Sequence, residues 1–472
     1  MFPALQNLRL LFPLLRYLDK TKTVSGGLSN PNKFYRIKLN NHRNIFCCIA
    51  RNRKMGDERS YHNPYDDYDP ERALEFVNPQ ESPHDIPKLK TGFKEKLIAA
   101  VDNLLGKLEP GITADGRDVS IYTGTTGFAL LFFMLSKKRQ DSSFLDRAAR
   151  LIDGSLAKLR NRDVTFIIGD AGPLALGAVI HHLRGNHSMS SQLVERLKAL
   201  SSEVVDLNSD LPDEALYGRV GYLYALLYLN QNLAPNTIED SLIRQVIAAV
   251  LASGKALAKS ERRKVPLMYV WHGSYYLGAA HGIVGILYTL LLAKDHLTDS
   301  ELTEYIRPTL DFLLSTSYPG GNLPSSMGSG RDRLVHWCHG APGAVHLYCL
   351  AYEVFGDQRY LDAAKKCGDV VWQRGLLRKG YGICHGVAGN AYTFLALHQT
   401  LNRSQAKGLG EAKDVLNLYR ACRFAEWCTT FNQHQERTPD RPYSLFEGLA
   451  GTIYFMNDLQ DPMEARFPAF AL

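Results

Sequence analysis

Two Cys-His-Gly segments of this sequence combine residue types that bind metals. They read HWCHGAPG at 336–343 and YGICHGVAGN at 381–390, with the two cysteines 46 residues apart. Three Cys or His ligands with a fourth position open to water or substrate are typical of a catalytic zinc site. One isolated Cys-His pair is weak support, because a buried cysteine often serves as a small apolar side chain. Two pairs at equivalent positions of a repeat predict a metal site.

The Cys-His pairs belong to a sevenfold repeat of Gly-x-x-Gly followed by an apolar run. The leading glycines are Gly124, Gly169, Gly218, Gly282, Gly340, Gly386 and Gly448. Their spacing of 45 to 64 residues leaves room for two helices and their loops. The intervening stretches, such as 97–108 and 415–425, carry apolar residues at three- and four-residue intervals and predict outer amphipathic helices. The more uniformly apolar runs predict enclosed inner helices.

Seven such pairs predict an all-α fold, an (α/α)7 toroid whose repeats begin at Gly-x-x-Gly seams. An open stack of repeats usually needs polar caps at both ends, but the first and last units here are as apolar as the others. We expect positive φ at the leading glycine of each seam and close packing at the second. The N-termini of the inner helices would then surround one end of the central cavity, where their unpaired N–H groups favour anions and thiolates.

Polar residues at three further seams are candidates for proton transfer beside the metal. They are His281 in AAHGIVG, Asp170 in GDAGP and Glu447 in FEGLAG. A histidine and a carboxylate near a Lewis-acidic metal suit general acid–base catalysis. Each also has a structural interpretation: Asp170 as a helix cap, His281 as a neutral core residue, and Glu447 as a hydrogen-bonding group of its loop.

Composition and charge bound the class of protein. The 472 residues are 45% hydrophobic and 22% charged, as in a soluble globular protein. No apolar run approaches the roughly 20 residues that a transmembrane helix needs. Residues 1–54 hold eleven basic residues and one acid, so the net charge of +7 leaves a sum of −3 for the remainder. The body of the chain therefore offers no electrostatic basis for binding nucleic acid.

We expect three segments: a poorly ordered basic extension at 1–54, a lead-in at 55–90 and the α/α barrel domain at 91–472. The extension begins MFPALQNLRLLFPLLRYL, which fits a mitochondrial presequence or a membrane-surface helix, although Pro3 and Pro13 oppose a regular helix. The eight cysteines do not form a secreted disulfide framework. We expect a cytoplasmic protein with peripheral contact at the plasma membrane through the extension; mitochondrial targeting is the alternative.

The seam motifs together resemble those of the LanC-like proteins, the eukaryotic relatives of bacterial lanthionine synthetase C. The similarity runs from about residue 63 to the C-terminus. It includes SDLPDEALYGRVGYLYALLYLN, WQRGLLRKGYGICHG and the terminal ARFPAF, which look most like the animal subgroup of LanC-like proteins two and one.

This resemblance implies an (α/α)7 barrel in which one catalytic Zn²⁺ is held by Cys338, Cys384 and His385. The bacterial relatives cyclise peptides by adding a Cys thiolate to dehydroalanine or dehydrobutyrine. The positions that match their proton-transferring residues are His281 and Asp170.

The resemblance also implies glutathione as co-substrate and dehydrated Ser- or Thr-containing proteins or peptides as its acceptors. The implied glutathione contacts are Lys379, Arg437, Thr438, Pro439 and Asp440. Lysine and arginine suit the carboxylates of the tripeptide. His339 is the candidate for stabilising an enolate or orienting the zinc ligands. The predicted function is Michael-type addition of the glutathione thiolate to dehydroalanine or dehydrobutyrine, which forms a thioether.

Two other function classes stay open on the sequence. One is a non-catalytic scaffold that binds zinc and glutathione and signals at the plasma membrane; the presence of both Asp170 and His281 favours the enzyme. The other is a toroid glycoside hydrolase, which needs two carboxylates across the cavity. Asp170 and Glu447 are its seam candidates, and the Cys-His pairs would then have no role.

Overall fold

The computed structural model describes residues 59–79, 85–114, 116–159, 163–406, 414–434 and 436–472. The basic extension at 1–54, with its predicted disorder and its membrane and mitochondrial interpretations, lies outside these residues. The α-helices are α1 Pro70–Ala73, α2 Thr91–Ala114, α3 Thr125–Arg139, α4 Ser142–Leu156, α5 Ala171–Leu183, α6 His187–Ala199, α7 Ser201–Val205, α8 Arg219–Asn232, α9 Asp240–Ser260, α10 Ile283–Leu292, α11 Arg307–Thr316, α12 Ala341–Phe355, α13 Gln358–Arg374, α14 Val387–Ala406, α15 Leu416–Thr429 and α16 Leu449–Asp458. A π-helical turn at Glu301–Ile306 leads into α11.

Seven helices form an inner ring. They are α3, α5, α8, α10, α12, α14 and α16. Each packs against the next one in chain order, and α16 packs back against α3. The ring is therefore closed, as the apolar terminal repeats predicted, and the all-α toroid is confirmed.

The outer helices alternate with the inner ones along the chain. α4, α6, α9, α13 and α15 each pack on the inner helix that precedes them, and α2 packs on α16. An outer helix buries one stripe: in α13 it consists of Tyr360, Ala364, Cys367 and Val371, at three- and four-residue intervals. The inner helix α10, by contrast, is buried from Ile283 to Leu291. This contrast is the one that the two kinds of apolar pattern predicted.

Among the described helices, α9 alone has the length and mean hydropathy, 1.3, that would allow it to cross a membrane. The sequence analysis expected no apolar run of this length, and α9 is an exception. In the structure α9 is an outer helix that packs on α7 and α8, with Ile243, Val246 and Val250 buried. Its apolar face thus has a partner within the barrel.

Most seam glycines are explained by close backbone contact rather than by positive φ. Gly124 has φ −102°, an extended value. A Cβ there would lie 2.4 Å from the carbonyl oxygen of Asp118, and one at Gly127 would lie 2.4 Å from that of Ile121. The expected positive φ is wrong for this seam and for those that lead into α8, α10 and α16. It is right at Gly340, where φ is 120°.

Backbone hydrogen bonds join residues that lie two positions before the seam glycines. The amide of Cys338 donates to the carbonyl of Cys384 (3.3 Å), and that of Cys384 donates to Phe446 (2.8 Å). Phe446 donates in turn to Tyr122 (3.1 Å), and Tyr122 to Ile167 (3.1 Å). Equivalent positions of neighbouring repeats are therefore held at one level of the barrel. This register brings together two cysteines that are distant in sequence.

The C-terminal segment fills the end of the barrel opposite the seams. The ring of Phe470 stacks on Tyr288 of α10 at 4.3 Å, and the ring of Phe467 stacks on Trp337 at 5.0 Å. The carbonyl of Ala471 accepts a hydrogen bond from the Tyr224 hydroxyl of α8 (3.1 Å). Trp337 thus lies between this plug and the seam residues that follow it in sequence.

The described part of the lead-in packs on the outer helices α13 and α15. Asn63 donates from Nδ2 to the carbonyl of Trp372 (2.7 Å), and Trp372 donates from Nε1 to Asp67 (2.9 Å). The Tyr419 hydroxyl of α15 donates to the carbonyl of Asp66 (3.0 Å). The chain from Asp57 to Leu472 accordingly forms one compact unit.

Candidate metal and proton-transfer site

Cys338, Cys384 and His385 lie together at the seam end of the barrel. One ligand atom from each lies within 4.8 Å of the other two, and among the described residues this is the one such group of three. Both cysteines are buried, whereas His385 is partly exposed. Sulfur ligands of a tetrahedral zinc are about 3.8 Å apart, given a Zn–S bond of about 2.3 Å. The three side chains therefore fit a zinc ion after small adjustments, with a fourth position left open.

Each thiol of this group has a second polar neighbour that the sequence analysis did not single out. The Tyr122 hydroxyl hydrogen-bonds Cys384, and Nδ1 of His336 lies 3.9 Å from Sγ of Cys338. Burial holds the pKa of His336 well below its usual range, so this imidazole is neutral. Tyr122 occupies the seam position equivalent to both cysteines, and alignment of the repeats would have found it.

Burial, and then the neighbouring thiol of Cys338, raise the pKa of Cys384 well above its ordinary value. A bound metal ion has the opposite effect, because a coordinated thiol is deprotonated. The buried pair of thiols is thus a poor nucleophile by itself and a suitable ligand set for a soft or borderline cation.

His281 is paired with a carboxylate that the sequence analysis also missed. Its Nδ1 lies 2.8 Å from Oε2 of Glu214, which is 2% exposed while His281 is 25% exposed. Glu214 also accepts the backbone N–H groups of Leu216 (3.0 Å) and Tyr217 (2.5 Å). A carboxylate with these partners fixes the proton on Nδ1 and leaves Nε2, on the far side of the ring, for a substrate.

His339 adjoins this pair. Its ring centroid lies 6.2 Å from that of His281, and the ring of Tyr276 lies within 6 Å of both. Burial, followed by the neighbouring His281, lowers the pKa of His339 to about 4. Its buried Nδ1 has no hydrogen-bond partner among the described residues. His339 is therefore a neutral ring with an unused polar atom beside the metal ligands.

Asp170 lies at the N-terminal cap position of α5, two inner helices away from α10. It is 7% exposed, and its side chain makes no capping hydrogen bond to the described residues of α5. The helix-cap interpretation is therefore not supported. The carboxylate that contacts His281 is Glu214, and a role for Asp170 in proton transfer stays a prediction.

A cavity of about 490 Å³ adjoins the seams of α14 and α16. The predicted residues that line it are Arg437, Thr438, Pro439 and Glu447. Asp440, which was predicted with them, is exposed and lies outside the wall of this cavity. Glu447 therefore faces the cavity rather than only holding its loop.

Lys379 is outside the wall of this cavity and precedes Gly380, which lines it. The amide of Arg437 donates to the carbonyl of Arg378 (2.8 Å), which fixes the two cationic segments against each other. Gly380 has φ 127°, a value that favours glycine, and it ends the turn that presents Lys379 to solvent. The charge of Lys379 contributes to the lowered pKa of His339. The structure thus brings Lys379 and Arg437 to one side of the site.

The polar groups follow the order of the inner helices around the ring. Glu214 precedes α8, His281 precedes α10, Cys338 precedes α12, Cys384 precedes α14, and the loop of Arg437 precedes α16. The Cys/His cluster therefore separates the His281–Glu214 pair on one side from the cavity lined by Arg437 and Glu447 on the other.

Comparison with known proteins agrees with this architecture. The family described as lanthionine synthetase C-like protein matches residues 116–472. A Danio rerio protein named Glutathione S-transferase LANCL1 is 42% identical over 421 residues, which cover 88% of this chain and 100% of the relative. The structure named nisin cyclase shares the fold with a TM-score of 0.58 at 18% identity, over 78% of this chain and 95% of its own. The resemblance seen in the seam motifs is confirmed, and the chain belongs to the lanthionine synthetase C-like protein family.

Proposed function

We propose that this protein is a zinc-dependent transferase that adds the thiolate of glutathione to dehydroalanine or dehydrobutyrine residues of proteins. The chain is an enzyme of a thioether-forming family, and a relative with 42% identity is named a glutathione S-transferase. The zinc ion and the dehydroamino acid acceptor are the further content of the proposal. The observation that carries it is the convergence of Cys338, Cys384 and His385 close to the His281–Glu214 pair.

Cys338, Cys384 and His385 would hold the metal. Two thiolates and an imidazole favour zinc over magnesium or calcium, which prefer oxygen ligands. When bound there, zinc would keep a thiol at its open position in the thiolate form at neutral pH. His385 is the one partly exposed residue of this group, so the group is accessible from solvent on its side.

Glutathione would lie in the cavity beside α14 and α16. Arg437 in the wall of this cavity, and Lys379 next to it in the turn before Gly380, would supply cationic side chains for its two carboxylates. Both side chains are exposed, so solvent screens them and their main effect is to orient the tripeptide. The proposal requires the sulfur of a molecule held in this way to reach the Cys/His cluster.

The addition then requires a proton. The thiolate forms a bond to the β-carbon of the dehydroamino acid, and the electron pair of the C=C bond moves through the α-carbon to the carbonyl oxygen as an enolate. Nε2 of His281 delivers a proton to the α-carbon, because Glu214 holds Nδ1 and stabilises the charged ring. Neutral His339 would hydrogen-bond the enolate oxygen.

Mass spectrometry of a dehydroalanine peptide incubated with glutathione and the full-length protein tests this function. The wild type should form an adduct of glutathione mass. Cys384→Ala should lose the adduct together with the zinc, whereas His281→Ala should lose the adduct and keep the zinc. Cys349→Ala, which removes a buried thiol of α12 outside the cluster, serves as the matched control.

Absence of any adduct above the uncatalysed background, in a protein that holds zinc and glutathione, would reject the transferase. That outcome would favour the alternative function, a non-catalytic scaffold that binds zinc and glutathione.

A further inference from the structure

An aromatic face borders His281 on the side away from the glutathione cavity. We use this name for Tyr217, Trp271 and Tyr276. The ring of Tyr217 lies 6.1 Å from that of Trp271 and 6.2 Å from that of His281, with interplanar angles of 28° and 8°. Tyr217 is 37% exposed, and Trp271 and Tyr276 are partly exposed. The face therefore presents apolar surface next to the proposed proton donor.

The aromatic face is rigid. Trp271 and Ser274 exchange two backbone hydrogen bonds of 3.0 Å, which close a two-residue hairpin. His272 and Gly273 at its tip have φ of 46° and 69°, the left-handed values of a type I′ turn, which fit the twist of the flanking strands. Tyr276 forms a bridge with Ser326, so the base of the hairpin is also held.

One carboxylate fixes this face relative to the imidazole. Glu214 accepts the backbone N–H of Tyr217 at 2.5 Å and bonds Nδ1 of His281 at 2.8 Å. The distance between the aromatic rings and the proton donor is thus set by the fold. Exposed apolar side chains scattered singly need no explanation, but a contiguous rigid group beside a reaction centre marks a binding surface.

The order of the ring indicates which reactant this face meets. The glutathione cavity adjoins α14 and α16, the cluster of Cys338, Cys384 and His385 precedes α12 and α14, and the aromatic face precedes α8 and α10. An acceptor located between the thiolate and His281 therefore extends towards the α8 and α10 side. Its flanking residues would then contact the aromatic face, whereas glutathione would occupy the side of Arg437 and Lys379.

We propose that the aromatic face binds an apolar or aromatic side chain next to the dehydroamino acid in the acceptor polypeptide, and that Trp271 and Tyr217 determine this preference. The inference rests on the proposed transferase function and specifies the class of its acceptor. Aromatic contacts of this kind contribute about 0.5–1.5 kcal/mol, so the preference should be about two- to tenfold in kcat/KM.

The experiment compares two peptides of equal length in which dehydroalanine is flanked by phenylalanine or by serine. The full-length wild type should favour the phenylalanine peptide, chiefly through a lower KM. Trp271→Ala should bring the ratio of kcat/KM values close to one, and Trp271→Phe should restore part of it. Leu183→Ala, which truncates an exposed apolar residue at the other end of α5, should keep the wild-type ratio.

The outcomes separate this inference from the function on which it rests. Addition of glutathione to both peptides with equal kcat/KM, or an unchanged preference in Trp271→Ala, overturns the role of the aromatic face and leaves the transferase in place. Failure of the wild type to modify either peptide rejects the transferase itself. Zinc content and the thermal unfolding midpoint of each variant identify a protein that has merely failed to fold.

Discussion

The two ends of the barrel are built from the same inner helices and differ in what their side chains do. At the seam end the chain places two thiols and several imidazoles, and Nδ1 of His339 is buried without a partner among the described residues. At the opposite end the C-terminal segment inserts Phe467 and Phe470 among the aromatic rings of the inner helices. One end is occupied by the C-terminal segment, and the other carries the Cys/His cluster and the His281–Glu214 pair.

Two buried cysteines give the largest contrast between these ends. Cys384→Ala should abolish zinc binding and lower the rate by about 10³-fold or more, because the thiolate of the substrate is then no longer held. Cys349→Ala should keep zinc and activity and cost about 1 kcal/mol of stability through lost packing. Metal analysis and initial rates of both variants test the contrast, and equal metal contents would contradict the assignment of the ligands.

The His281–Glu214 pair gives the next largest effect. His281→Asn should lower kcat by about 10²–10⁴-fold with zinc retained, as is typical for loss of a general acid. Glu214→Gln should also lower kcat, because an amide does not stabilise the charged imidazole. Comparison with Asp170→Asn distinguishes the roles of the two carboxylates. The structure predicts the larger loss of kcat for the Glu214 variant, because Glu214 contacts His281. A larger loss in Asp170→Asn would instead favour the assignment drawn from the family resemblance.

The fold and the Cys/His cluster were predictable because both follow from one regularity of the sequence. The Gly-x-x-Gly repeat indicated seven inner helices, and Cys338 and Cys384 occupy equivalent positions of adjacent repeats. Because their positions are equivalent, the two residues lie side by side and are joined by a backbone hydrogen bond. The repeat in the sequence therefore predicted the position of the seam side chains along the barrel axis.

The partners of the site residues were less predictable, because they depend on distances between loops. Glu214 lies four residues before its seam glycine, not beside it as Glu447 does, and nothing in DEALYG indicates that it contacts His281. The plug formed by Phe467 and Phe470 has no repeat pattern, and its place became evident only from the ring contacts. The glycine geometry was mispredicted because a repeated glycine indicates either positive φ or close contact.

The plug gives a third prediction, on stability rather than on catalysis. Phe467→Ala should lower the free energy of unfolding by about 3–5 kcal/mol, as for other buried aromatic residues. The folded variant should keep its zinc and its kcat, because Trp337 lies between Phe467 and the metal ligands. Denaturant unfolding followed by rate measurement below the transition checks both parts. A reduced kcat in the fully folded variant would show that the two ends are coupled.

The last prediction concerns the pH dependence of stability and Asp458, at the end of α16 beside the plug. Its carboxylate accepts hydrogen bonds from the Arg466 backbone N–H (2.7 Å) and from the Tyr392 hydroxyl (3.1 Å). Burial raises the pKa of Asp458 from 3.8 to about 7. The native state therefore keeps this proton up to about pH 7, whereas the unfolded chain releases it near pH 3.8.

The native state consequently binds more protons than the unfolded chain between these two pKa values. The contribution of Asp458 to the free energy of unfolding is fully present below pH 3.8 and declines as the pH rises to about 7. The decline amounts to at most about 4 kcal/mol, since one pKa unit corresponds to about 1.4 kcal/mol.

Asp458→Asn should remove this slope, because the amide oxygen still accepts the Arg466 N–H and carries no titrating proton. Asp461→Asn, whose exposed carboxylate pairs with Lys138, should keep it. Urea unfolding of the three proteins between pH 4.5 and 8 measures the slope, and an identical slope in Asp458→Asn would mean that other groups give the plug end its pH dependence.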